Sequence, residues 1–285
     1  SATCLAATSA ELPPIDDAIG FASPFCGVLN GKLAIAGGAN FPTKPPWEGG
    51  KKRWHTGIHL LESPAAQWKT IGHLTHPLAY GCWFNVNDGC LLYTSPFNVN
   101  DGILCVGGSD DQRHHSRAFL LTLSPDGRPT ETEWPSLPTP LANAAGVRIG
   151  SRIFVVGGQT APDQPPLRSV LALDLDQRSS GWTALPPLPG PGRILASAGQ
   201  HDGALYVASG TDLAPKSAGS TRIPLKDAFK YLPASGWERL PDLPEPRIAA
   251  PSPMLESQRG PIIPGGDDAS QIGTPNHQHQ GFLRT

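Results

Sequence analysis

Ile153-Phe154-Val155-Val156-Gly157-Gly158, with Ser169-Val170-Leu171-Ala172-Leu173, Trp182 and Leu185-Pro186-Pro187-Leu188-Pro189 after it, is the stretch on which the fold turns. A short apolar run bounded by turn residues reads as a buried strand. The paired glycines permit positive φ and close backbone approach where the chain leaves a crowded sheet. The same pattern recurs along the chain. Leu33-Ala34-Ile35-Ala36-Gly37-Gly38, Ile103-Leu104-Cys105-Val106-Gly107-Gly108 and Ile262-Ile263-Pro264-Gly265-Gly266 repeat it, and Leu205-Tyr206-Val207-Ala208-Ser209-Gly210 is a degenerate copy. The second residues of these pairs stand 70, 50, 52 and 56 apart. In chain order Trp68, Trp134, Trp182 and Trp237 each follow one of the first four, ending at Gly38, Gly108, Gly158 and Gly210, at a matching phase, and each precedes a turn such as Leu240-Pro241-Asp242-Leu243-Pro244.

Each repeat predicts one four-stranded antiparallel sheet. An inner strand runs through a short turn, Leu29-Asn30-Gly31-Lys32 in the first repeat, into the strand that the glycine pair closes. Two outer strands follow. The Trp packs one sheet on the next, and the Leu-Pro segment returns the chain to the axis. A period near 50 with these marks is that of kelch repeats. The expected fold is therefore all-β: a kelch-type β-propeller with four full blades and the start of a fifth, of an expected six. Such an open ring leaves strand edges and apolar surface uncovered, so the chain is expected to aggregate when expressed alone.

One interval is too long. Phe84-Asn85-Val86-Asn87-Asp88-Gly89 returns unchanged at Phe97-Asn98-Val99-Asn100-Asp101-Gly102, 13 residues later. Removing 13 residues brings the spacing of 70 into line with its neighbours. The stretch 84–102 therefore reads as a local duplication that bulges between the first two strands of its blade, with a functional loop as the alternative. Pro264 is unexpected in a central strand.

The bulk composition fits this and excludes other classes. The 285 residues hold 32 glycines and 32 prolines, far above the roughly 12% that ordinary chains devote to the two together. Both are poor in helix interiors, which disfavours a helical bundle. Net charge is −2 and no basic cluster exceeds Lys51-Lys52-Arg53, so nucleic-acid binding is not expected. No apolar run approaches the roughly 18–20 residues of a membrane helix. Five cysteines without a CxxC spacing give no metal framework. The Ala-rich start, within the segment 1–20, is either the remnant of a secretory signal or a frayed terminus; the propeller is expected over 21–285.

Ala36-Gly37-Gly38-Ala39-Asn40-Phe41-Pro42, followed by Pro45-Pro46-Trp47-Glu48-Gly49-Gly50-Lys51-Lys52, resembles the cyclically permuted branch of the N-acetylneuraminate (sialic acid) mutarotases. Gly107-Gly108-Ser109-Asp110 with Arg113-His114, Pro140-Leu141-Ala142-Asn143, Pro191-Gly192-Arg193, Gly265-Gly266-Asp267-Asp268 and His279-Gln280-Gly281-Phe282-Leu283-Arg284 add to the likeness, which runs from about Gly20 to the C-terminus. The resemblance implies a six-bladed propeller that interconverts sialic acid anomers by opening and reclosing the pyranose ring. It implies a small sugar acid as ligand, no cofactor and a periplasmic or secreted location, and it leaves a homodimer open. The family's Glu and Arg lie in a Gly-Glu…Pro-Gly-x-Arg stretch of the final blade, and no position of this sequence matches it. The chain as it stands is therefore expected to be inactive.

Candidate catalytic groups are His55, Arg113, His114 and Asp267; candidate substrate-binding groups are Asn40, Trp47, Lys51, Asn143 and Arg193. Asn40, Trp47, Lys51 and His55 share the long loop after the first glycine pair, which serves either as a site or as a lid without chemistry. Arg193 is positioned to hold a carboxylate, or else bridges blades through backbone carbonyls. Arg113 and His114 follow the second pair, and a surface histidine is the plainer reading there. Asp267 and Asp268 are either an acid/base pair or turn formers. No metal is expected: His114 and His115 would point opposite ways on a strand, and His277 and His279 lack a third ligand nearby. A kelch propeller that binds protein is the second functional reading, since a fold does not fix a function. A copper radical oxidase fares badly with only four tyrosines.

Overall fold

The computed structural model describes residues 11–87, 101–216 and 219–270. Four four-stranded antiparallel sheets follow one another, each with its strands in order from inner to outer. Blade 1 is Phe25–Leu29, Lys32–Ala36, Gly57–Leu61 and Lys69–His73. Blade 2 is Cys82–Asn87, Asp101–Val106, Ala118–Leu123 and Pro129–Trp134. Blade 3 is Ala145–Ile149, Arg152–Val156, Val170–Asp174 and Thr183–Ala184, and blade 4 is Ser197–His201, Ala204–Ala208, Ala228–Leu232 and Gly236–Leu240. Leu255–Ser257 and Gly260–Ile262 pair as the start of a fifth blade. No described helix is long and apolar enough to cross a membrane.

The apolar runs of blades 2 and 3 are continuous because both faces of those sheets are buried, whereas blade 1 alternates and leaves Val28 exposed. Successive strand residues point to opposite faces. In blade 2, Ile103 and Cys105 pack on blade 1 with Phe25, Leu29 and Leu60. Leu104 and Val106 pack on blade 3 with Ile153, Val155 and Leu173. Phe154 and Val156 then meet Leu205, Val207 and Phe229 of blade 4. The tryptophans add a polar tie. Nε1 of Trp182 donates to the Pro135 carbonyl at 2.7 Å and that of Trp237 to Pro186 at 2.9 Å, so each holds the turn leaving the blade before it. Trp68 does the same to Pro13 at 2.9 Å, which fastens the segment before blade 1 to that blade.

Register is shared. Phe25 faces Ala36, Cys82 faces Val106, Ala145 faces Val156 and Ser197 faces Ala208, each second partner lying just before a glycine pair or its Ser209-Gly210 counterpart. Blade 2 keeps this register down to Val86 opposite Gly102 and adds one pair, Asn87 opposite Asp101. The rest of the repeated segment, where the bulge is expected, falls on residues 88–100, outside the described residues. In the fifth blade the second strand stops at Ile262, two residues short of Pro264, whose missing N–H cannot serve a ladder.

A second regularity organises the axis. Ser23, Tyr80, Asn143, Leu195 and Ala249 all have positive φ, between 47° and 63°. Each lies just before an inner strand or its blade. Tyr80 N–H donates to the Ser23 carbonyl at 3.0 Å, and Asn143 to Tyr80, Leu195 to Asn143 and Ala249 to Leu195, each at 2.9 Å. One hydrogen bond thus links every described blade to the next on the face where the glycine pairs lie.

Candidate functional site

The loops after the glycine pairs join the second strand of a blade to the third, so they all emerge on one face. The blade 1 loop is the most built. Ala39–Asn40 pairs with Arg53–Trp54 as a short ribbon. Between them, Pro46–Glu48 forms a single 3-10 turn with Gly49 closing it at φ 79°. Gly50 tolerates no side chain, because a Cβ there would sit 1.8 Å from the Lys44 carbonyl oxygen.

Asn40 is buried at the base of this loop. Its Nδ2 donates to the Gly20 carbonyl at 3.1 Å and to the Asp17 carboxylate at 3.3 Å. Both partners are acceptors only, which fixes the amide orientation. Oδ1 therefore faces His55, whose Nε2 lies 2.8 Å away. An acceptor there requires the proton on Nε2, so neutral His55 keeps its lone pair on Nδ1. Burial lowers the His55 pKa below 6.5 and Arg53 adds to that, while Asp17 works against both. Phe21 packs against the ring with centroids 4.8 Å apart.

Beside this network lies a cavity of about 540 Å³, lined in part by Ile19, Ala22, Asn40, Phe41, Lys44 and Tyr80. Lys52 packs against two of the lining residues, Phe41 and Tyr80. The Lys52 ammonium donates to the Tyr80 hydroxyl at 2.9 Å and sits 4.6 Å from the Tyr80 ring centroid, 5.4 Å from Phe41 and 5.5 Å from Trp54.

The other expected residues are distributed. Trp47 lies in the 3-10 turn. Lys51 is exposed, and its neighbour Lys52 takes the place against the aromatic rings. Asn143 serves through its backbone in the axial chain of hydrogen bonds. The Arg113 side chain is exposed, its N–H capping Asp110 at 2.8 Å. His114 is buried, with Nδ1 2.9 Å from the Gln159 carbonyl, a tie between blades 2 and 3. Asp267 and Asp268 accept turn hydrogen bonds from Ala269 and Ser270.

Arg193 is fully buried. Its guanidinium makes a fork on Asp227 with both bonds at 2.9 Å, and donates to the Ser209 carbonyl at 3.0 Å. The slot explains this. Gly158 N–H donates to the Arg193 carbonyl as Gly38 does to Leu78 and Gly108 to Leu141. Arg193 thus occupies a core position that neighbouring blades give to leucine, and a charge placed there requires a partner. Asn40 and His55 are the two expected residues that the structure brings into direct contact.

Asp17, Lys52, Trp54 and Tyr80 escaped the sequence reading. Two signals were present. Alternation about the Arg53–Trp54 strand would put Lys52, just before it, on the side of Trp54. Pro77-Leu78-Ala79-Tyr80 repeats the pattern of Pro140-Leu141-Ala142-Asn143. The Thr211–Lys216 and Gly219–Pro224 hairpin, which extends the corresponding loop of blade 4, was also unforeseen.

A solved structure described as "Structure of YjhT" superposes with a TM-score of 0.68 over 88% of this chain and 78% of that one, at 16% identity. The fold is that of a β-propeller. Among curated proteins, an N-acetylneuraminate epimerase of Brucella suis is 35% identical over 111 residues, 38% of this chain and 26% of that protein. One from Vibrio vulnificus is 34% identical over 80 residues, 26% of this chain and 21% of that protein. Kelch-like protein 41 of Rattus norvegicus is 35% identical over 98 residues, 33% of this chain and 15% of that protein. The chain thus matches about a quarter or less of the length of these relatives. No family model matches it. The propeller is similar to proteins named for sialic acid epimerisation and to a kelch protein.

Proposed function

We propose that this chain is a sugar-acid-handling propeller of the sialic acid epimerase kind, whose reaction interconverts the anomers of N-acetylneuraminate. The observation that carries the reading is the Asp17–Asn40–His55 network beside the cavity of about 540 Å³ on the glycine-pair face. Ring opening needs one group to take the proton of the anomeric hydroxyl and another to give a proton to the ring oxygen. Asn40 orients neutral His55 with its Nδ1 lone pair free, which suits it to the first task near pH 7. A periplasmic or secreted location goes with this reading, and no cofactor is needed for it.

No position among these 285 residues matches the Glu and Arg of the Gly-Glu…Pro-Gly-x-Arg stretch. The expected behaviour of this chain is therefore binding without acceleration. NMR of anomer exchange after dissolving crystalline N-acetylneuraminate tests the reading. A version of the protein that carries the stretch should relax the anomers faster than buffer, and a rate equal to buffer would sink the proposal.

The protein-binding alternative has one observation in its favour. A groove of about 550 Å³ lies at the outer rim between blades 2 and 3, with Glu133, Trp134 and Arg178 in its walls. The Arg178 guanidinium sits 5.0 Å from the Trp134 ring centroid. Anchors on the rim suit a partner chain, whereas Asn40 lines the cavity beside blade 1.

A further inference from the structure

Lys52 is a half-buried cation with no carboxylate within salt-bridge distance among the described residues. Its only hydrogen-bond partner there is the neutral Tyr80 hydroxyl. Three aromatic rings, Phe41, Trp54 and Tyr80, lie within 5.5 Å of the ammonium. Ring faces attract a cation but leave its charge unneutralised. An ammonium has three donors, and only one is engaged. The residues lining the adjoining cavity include Lys44 and no Asp or Glu, and Asp17 stands behind Asn40 with its oxygens taken up by that amide and by backbone N–H groups. Arg193, which the sequence also offered for holding a carboxylate, is committed to Asp227.

We propose that the Lys52 ammonium, held against Phe41, Trp54 and Tyr80, is the anchor for the carboxylate of the ligand in this cavity. The proposal rests on the sugar-acid reading for its choice of ligand, while the anion preference follows from the cage itself. The cage sets the lysine's position before any ligand arrives, so little side-chain freedom is lost on binding. The Tyr80 hydroxyl accepts from Lys52 and keeps its own proton for a ligand oxygen. Lys52 is a binding residue in this scheme and takes no part in proton transfer.

The test compares binding of N-acetylneuraminate with binding of its methyl ester, by saturation-transfer NMR and calorimetry on the 285-residue chain. A charge-assisted hydrogen bond is the difference between them. The acid should bind at least about tenfold more tightly than the ester. Lys52→Met should remove that preference, while Lys69→Met, the same charge change at a remote exposed site, should keep it. The acid-to-ester comparison on the wild type needs no variant, which keeps the proposal testable if Lys52→Met fails to fold. Equal binding of acid and ester by the wild type, or an undiminished preference in folded Lys52→Met, would overturn the proposal. Failure of any carboxylate to bind would do the same. Glucuronate that binds and depends on Lys52, where N-acetylneuraminate does not bind, would uphold the anchor and reject the sialic acid reading. Tight, Lys52-dependent binding with no anomer exchange in the version carrying the final-blade stretch would likewise refute only that reading.

Discussion

Removing Asp227 should damage this protein more than removing both members of its ion pair. Arg193 is 0% exposed, and Asp227 supplies two of its hydrogen bonds at 2.9 Å. In Asp227→Ala the guanidinium stays buried with carbonyl partners alone, Ser209 at 3.0 Å and Pro191 at 3.5 Å. Stranding a buried charge in this way costs about 3–5 kcal/mol. The double variant Arg193→Leu/Asp227→Ala removes the charge and installs the residue found at the equivalent positions Leu78 and Leu141, both buried. Replacing a buried pair by packed apolar groups is often neutral, so the double variant should melt within about 1 kcal/mol of wild type. Circular-dichroism melts and urea titrations measure this, and Asp227→Ala should fall by roughly 6–20 °C while the double variant recovers most of the loss. Equal destabilisation of the single and double variants would refute the reasoning, because it would mean that the cost lies in lost contacts and not in an uncompensated charge. The same pair of proteins separates the two sequence readings of Arg193. If it holds a ligand carboxylate, the folded double variant loses N-acetylneuraminate binding; if it serves only the blade, binding persists.

Two glycines with similar φ should respond differently to alanine. Gly157 (φ 67°) would place a Cβ 2.4 Å from the Arg193 carbonyl oxygen, whereas Gly31 (φ 75°) opens onto free space; Gly31→Ala should cost about 1 kcal/mol from backbone strain, and Gly157→Ala more than about 2 kcal/mol in urea titrations. Glu131 accepts from the Thr75 N–H at 2.8 Å, the Thr75 hydroxyl at 2.9 Å and Arg117 at 2.7 Å, so it clamps the exit of blade 1 to the outer strand of blade 2. Glu131→Ala should lose about 2–3 kcal/mol by the same measurement, as expected for charge-assisted bonds at a side chain 9% exposed. Burial lowers the pKa of His55, His59 and His114 below 6.5. The unfolded chain then binds more protons, so stability should be constant above pH 6.5 and decline as pH falls from there through the folded-state values, with His114→Gln flattening the slope; urea midpoints that stay level between pH 7 and pH 5 would contradict this.

The blades were legible in the sequence because their determinants are local and repeated. A glycine pair, a two-residue turn such as Asn30-Gly31 and a Leu-Pro return each act within a few residues of themselves. Apolar runs with no polar alternation, such as Ile103–Val106, already implied sheets covered on both faces. The long first loop could likewise be singled out, and Asn40 and His55 with it, since they lie 15 residues apart on one connection.

What needed the tertiary structure was every side-chain pairing across distant parts of the chain. Asp17 reaches Asn40 over 23 residues, Lys52 reaches Tyr80 over 28, and Arg193 reaches Asp227 over 34. Sequence could name Arg193 as a cation near the axis, but only the register of the blade, which puts it in the slot of Leu78 and Leu141, shows where its charge goes. Lys51 and Lys52 are chemically identical and adjacent, and the folded loop packs Lys52 on Phe41, Trp54 and Tyr80 while leaving Lys51 exposed. Strand and turn preferences are set by near neighbours, so repetition reveals them. The charge and hydrogen-bond state of a side chain is set by whatever the fold brings within about 3 Å, and here that is decided by the stacking of blades.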